Sequence, residues 1–162
     1  MAGSTTNNAF YVEMMNIILL NGTTAGLASG FFVGLLLSST SAANAILNPP
    51  VYQEVLSGRN YARMAMNRST TSTGSGASAA SGWSFNSNQA SLEYSNLSDI
   101  VFGVPQTADW GTIGHIGLFK SNSLQSLDMM YFASLTSAKV VNNGDGAPKI
   151  LAGQLRIARA SC

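Results

Sequence analysis

The sequence predicts a mainly β chain: an antiparallel β-sandwich, or a barrel-like relative of it, with one N-terminal α-helix. Three observations predict this. Short apolar segments divided by Gly, Asn, Ser and Pro turns recur about every ten residues, the rhythm of short strands. The closing segment alternates apolar and polar residues with period two. Only one early segment carries helical spacing, and there are no heptads, collagen-like triplets or repeats of 20–50 residues. At 162 residues the chain is long enough for one sizeable core and short for two.

The elements follow in order. Residues 1–8 are small and polar and read as an N-terminal arm; residues 9–160 read as one β-rich domain. Asn8 suits a cap for a helix from Ala9 to about Leu20, with Phe10, Met14, Ile17 and Ile18 on one face and Asn21-Gly22 as its stop. Phe31 to Leu37 is a continuous apolar run, as in a strand buried on both faces. Val51–Leu56 and Tyr61–Met66 read as short strands around the turn at Ser57-Gly58-Arg59-Asn60. Residues 69–82 are a Ser/Gly low-complexity loop. Trp83–Phe85, Ala90–Tyr94 and Ile100–Val104 read as strands, followed by a glycine-loaded strand across 108–119 and an apolar one from Met129 to Leu135. Glycine within a strand marks a bulge or a close backbone approach. Residues 142–146 form a turn, and residues 151–158 a half-buried last strand with Leu151, Gly153, Leu155 and Ile157 inward.

Composition excludes several functions. Charged residues are 9% of the chain against about 25% in ordinary soluble domains, while Ser, Asn and Thr make up more than a quarter of it. Eight Lys/Arg against seven Asp/Glu, with no basic run, argue against a nucleic-acid partner. The apolar stretches 14–20 and 27–37 are too short and too interrupted to span a bilayer, so no membrane role is expected. No Lys or Arg precedes Arg59, so no secretory signal is read. The one cysteine, Cys162, cannot make a disulfide within the chain. A neutral exterior weakens the repulsion that keeps proteins apart, which suits a subunit packed against neighbours, a homo-oligomer included.

Residues for catalysis are sparse. His115 is the sole histidine and sits inside a strand; one His and one Cys make no zinc site, and the seven acids are scattered. Asn142–Asp145 lacks a full calcium loop, and Gly74-Ser75-Gly76 has no following Lys to make a phosphate loop. No catalytic residue, cofactor or metal is therefore assigned. Candidate partner contacts are Arg59, Tyr61 and Arg63, with Arg68 nearby, because Arg and Tyr are enriched in interface hot spots. Asp109 and Trp110 are two more candidates: Asp109 reads as a turn cap or, with Trp110 stacking, as part of a sugar contact.

Several motifs in fixed order carry a resemblance. They are Tyr61-Ala62-Arg63, Ala108-Asp109-Trp110-Gly111-Thr112, His115-Ile116-Gly117-Leu118-Phe119, Leu135-Thr136, Val141-Asn142-Asn143-Gly144-Asp145 and Ala152-Gly153-Gln154-Leu155-Arg156-Ile157. Over roughly residues 9–158 the chain resembles a family of short virion proteins of tailed bacteriophages, often labelled tail fibre proteins. It departs from that pattern at Lys120, where Asp is commoner, and in the long 69–82 loop. The resemblance implies a non-enzymatic virion component, assembled in the host cytoplasm, with other virion proteins as partners and no catalytic residues to transfer. The lack of a shaft sequence favours capsid-surface decoration, a cement bound to the major capsid protein. The alternative is a tail fibre or tail adaptor subunit for host recognition. A small glycan hydrolase is the remote third reading.

Overall fold

The apolar run after Ser29 forms the central strand β1 (Gly30–Leu37), buried on both faces as its unbroken hydrophobicity requires. The computed structural model describes residues 30–45, 50–67, 81–86, 93–124 and 128–158. The expected arm 1–8, the helix from Ala9 to Leu20, Arg68 and most of the 69–82 loop lie outside the described residues. One helical turn, α1 (Ala42–Ala45), follows β1.

The remaining strands are β2 (Met64–Asn67), β3 (Trp83–Asn86), β4 (Glu93–Asn96), β5 (Ile100–Val101), β6 (Gly111–Phe119), β7 (Met129–Val141), β8 (Lys149–Ile150) and β9 (Arg156–Ala158). They form a four-stranded sheet in the order β2-β1-β6-β7, a three-stranded sheet β3-β4-β9 and the pair β5-β8. Among the described residues every ladder is antiparallel, and a single parallel bridge joins Met66 to Ser81. The mainly β, antiparallel expectation holds. The barrel-like form does not: β2 and β7 stand at opposite edges of an open sheet. All three sheets feed one apolar core, through Phe31, Val33 and Leu35 of β1, Trp83 of β3, Tyr94 of β4 and Ile100 of β5.

Three local expectations are corrected. Val51–Leu56 makes only a bridge, Leu36 to Glu54, because β2 already occupies the first half of that edge of β1. β7 runs on past Leu135 to Val141 through a bulge, its register passing from His115↔Ser134 to Ile113↔Lys139. The last strand begins at Arg156, and Leu151 is exposed. Residues 151–155 are instead held in a turn by the buried Asn96. Its Nδ2 donates to the Leu151 carbonyl at 3.0 Å, and its Oδ1 accepts the Leu155 N–H at 2.9 Å. Gly153 adopts φ 75°, which a non-glycine residue rarely takes.

Candidate functional site

The site begins where β2 stops. β2 pairs with β1 only over Gly30–Val33, leaving the backbone from Leu35 to Leu37 without a strand on that side. Gln53–Val55 takes over further along, with the Leu37 N–H donating to the Gln53 carbonyl at 2.8 Å. Between the two, the Leu35 N–H donates to the Tyr61 hydroxyl at 2.7 Å. A phenol thus satisfies a buried backbone donor that a strand would otherwise pair.

This arrangement brings a carboxylate and a guanidinium inside. The Tyr61 hydroxyl donates to Glu54 Oε1 at 2.9 Å, and Arg63 holds both Glu54 oxygens, from Nε at 2.8 Å and Nη2 at 2.9 Å. The remaining Arg63 donors reach the Ser121 carbonyl (2.8 Å), Asp128 Oδ1 (3.3 Å) and the Tyr52 hydroxyl (3.2 Å). All five guanidinium N–H groups are therefore engaged. The Arg63 and Glu54 side chains are fully buried, so the pair must match bidentately to offset its lost hydration.

Beneath the guanidinium lies the Phe119 ring, with the Arg63 carbon 3.4 Å from its centroid. The ring folds back over its own strand onto Gly117 and the cross-strand partner Gly34. A Cβ at Gly34 would stand 2.7 Å from that ring and 2.8 Å from Glu54 Oε1; a Cβ at Gly117 would stand 2.6 Å from the ring. The glycines inside these strands mark this close approach. Burial works against the Arg63 charge, but the hydrogen bonds and charge of Glu54, with Tyr52 adding to them, together raise the guanidinium pKa. Burial pushes the Tyr61 hydroxyl well above its ordinary 10.0, and the Glu54 carboxylate adds to that.

A second half of the site lies above Tyr61. The Trp110 ring meets Tyr61 edge-on at 5.2 Å, and its Nε1–H donates at 2.8 Å to the carbonyl of Arg59, 51 residues away in sequence. Arg59 Nη1 donates to the Asp109 carbonyl. Asp109 Oδ1 accepts the Asn143 N–H at 2.7 Å, and Asp145 Oδ2 accepts the Asn142 N–H at 2.7 Å. Asn60 (φ 58°) and Thr107 (φ 69°) adopt left-handed backbone in the same loops. Thr107 donates its hydroxyl to the Gly58 carbonyl at 2.9 Å, and Asn60 Nδ2 donates to the Val104 carbonyl at 2.9 Å. A β-branched residue held at positive φ is strained, and the loop contacts hold it there.

The five sequence candidates thus form one connected chain of contacts, Arg63–Glu54–Tyr61–Trp110–Arg59–Asp109, from the interior to the surface. Tyr61, Arg63 and Trp110 are buried in the chain; Asp109 is exposed and Arg59 partly so. At 1% exposure Trp110 offers no face for a sugar to stack on. Asp109 does not close a turn of its own but ties its loop to residue 143. His115 contacts Ser134 (3.1 Å) and the Phe132 ring (4.8 Å). Sequence reasoning missed Glu54, Tyr52, Phe119, Ser121 and Asp128. The one signal for Glu54 was an acid inside an otherwise strand-like segment.

Among the described residues no group of three or more His, Cys, Asp or Glu is placed to hold a metal ion. Among the same residues no helix is long and apolar enough to cross a membrane. Glu54 has both oxygens committed to Arg63 and Tyr61, which leaves no place beside it for a proton-donating substrate.

The class that emerges is a mainly β, antiparallel structural protein: its charged cluster is consumed by the fold, and its polar loops face outward. The chain belongs to the family described as Podophage GP4 fiber I protein gp80, which it matches over residues 6–158. It is a virion protein of a fibre family of short-tailed phages, with a structural role, where the motif order had implied a tailed-phage virion component. No curated protein matches the sequence.

Proposed function

We propose that the chain is a non-enzymatic subunit of the phage's fibre apparatus, joined to its neighbours through the loop end around Arg59 and Asp109. The observation that carries this is the match to a fibre family across 6–158. The loops support it physically. Asn60, Gln106, Thr107, Asp109, Asn142 and Asn143 are exposed, neutral apart from Asp109, and tied together by hydrogen bonds. A surface already held in place loses little freedom when a partner binds. Residues 9–160 act as one β-sandwich unit with 1–8 as an arm, and the partners are further copies of the chain and other virion proteins. Contact only in the assembled particle stabilises that state by linkage.

A second reading, decoration of the capsid surface against the major capsid protein, is favoured by the lack of heptads, triplets or other shaft repeats. Imaging of whole particles separates the two. Density for this chain in the fibre, with residues 57–60, 104–109 and 142–146 against a neighbour, is the expected result. Density between shell subunits overturns the fibre assignment in favour of decoration.

A further inference from the structure

A cavity of about 590 Å³ opens between the core face of the β6–β7 pair and the segment 145–150. Its floor is Leu35, Phe102, Ile113 and Val141, all buried; Leu135 and Pro148 wall it. That volume falls within the roughly 300–1,000 Å³ of ordinary small-molecule sites. An apolar cavity stays dry and takes apolar guests, because water would find no polar partners there.

The mouth carries charge. Lys139, Lys149 and Asp145 line it. Lys149 is already paired with Asp99 at 3.7 Å, and Asp145 accepts the Asn142 N–H. Lys139 makes no ion pair among the described residues. It nonetheless lies across from the buried Ile113 and two residues from the buried Val141. An aliphatic side chain there would extend the apolar wall; the lysine brings an ammonium to its rim. One unpaired cation over an apolar cavity matches a ligand with one anionic oxygen group and a hydrocarbon tail. Asp145 lines the same cavity, and its negative charge favours a singly over a doubly charged head.

We propose that this cavity binds the alkyl chain of a single-chain carboxylate amphiphile, with Lys139 holding the head. This stands apart from the fibre reading, since it uses none of the loop contacts. The test titrates the full chain calorimetrically with decanoate, decanol and decyltrimethylammonium, each below its micelle threshold. Decanoate is expected to bind once per chain, tighter than decanol by up to about fivefold, with the cationic amphiphile weakest. Lys139→Gln should bring decanoate down to the level of decanol and leave decanol unchanged. Ala147→Phe, which fills the cavity from its rim, should abolish binding of all three with the thermal melt preserved. Absence of saturable decanoate binding overturns the proposal, as does a decanoate preference that survives Lys139→Gln. If decanoate does not bind and Ala147→Phe alters the sedimentation mass, another copy of the chain covers the cavity, and the proposal also falls.

Discussion

On one face of the four-stranded sheet, Phe31, Val33 and Leu35 enter an apolar core shared with Trp83, Tyr94 and Phe102. On the other, Gly34 and Gly117 lie under Phe119, which carries the Arg63–Glu54 pair. The two faces treat buried polarity differently. The apolar core leaves the Trp83 indole N–H without a partner among the described residues. The polar face engages all five N–H groups of Arg63. The orphan indole N–H is a cost the apolar core carries, while its apolar contacts accept many repackings. A buried ion pair accepts one geometry, so this face fixes how residues 52–63, Phe119, Ser121 and Asp128 lie against the sheet.

The largest test of that contrast removes one member of the pair. Glu54→Ala leaves Arg63 charged and uncompensated in the interior and should lose about 3–5 kcal/mol in urea unfolding. Glu54→Leu combined with Arg63→Met, which replaces the pair with apolar volume, should recover most of the loss. A single-variant loss no larger than that of a surface change, about 0.5 kcal/mol, would mean that the pair is solvated and the contrast unfounded.

Gly117→Ala comes next. Its Cβ has nowhere to go unless Phe119 swings away from Arg63, so a loss of about 1–3 kcal/mol is expected. Phe119→Leu in the same chain should make the glycine substitution milder, and a double-mutant cycle reads that coupling. Strict additivity would show that the ring does not rest on the glycine.

Tyr61→Phe should cost about 1–2 kcal/mol at neutral pH, through the unpaired Leu35 N–H and the lost bond to Glu54. It also has a pH signature. The folded chain keeps the Tyr61 hydroxyl protonated while the unfolded chain ionises it near 10.0. This contribution is therefore full below pH 10 and is lost as pH rises above it toward the folded value. Tyr52, also raised by burial, acts with the same sign, so Phe at 61 should flatten the alkaline decline without abolishing it. A decline above pH 10 as steep as in the parent chain would place the Tyr61 hydroxyl in contact with water.

The apolar face was readable because its information is local. β1 follows from an unbroken apolar run, β3 from a short segment set between turns and β6 from a glycine-loaded strand, all read within a few residues of one another. The turn at residues 142–146 is equally local. Where a distant residue decides, the local pattern misleads. Residues 151–155 alternate like a strand, yet Asn96, 55 residues from Leu151, bends them into a turn. The polar face was legible only in outline: Arg63 and Tyr61 stood out by residue type, and the strand glycines signalled a close approach. Phe119 as the approaching group and Glu54 as the counter-ion depend on which elements meet across β1, and spacing along the chain does not carry that.

The smallest expected effect probes the exposed end of the same chain of contacts. Asp109→Ala removes the acceptor of the Asn143 N–H and unties two loops 34 residues apart in sequence. Both partners face water, which replaces the bond, so global stability should fall by less than about 1 kcal/mol. The effect should be local: hydrogen exchange at the Asn143 amide should accelerate while the core amides of β1 and β6 keep their rates. Glu54→Ala should do the reverse and speed exchange throughout the sheet. If Asp109→Ala also loosened the core, the loop end and the buried pair would be one cooperative unit, and the division between a rigid interior and a separable contact surface would fail. If it left the core intact but kept the chain out of assembled particles, the exposed end would be the part of the network that a neighbour reads.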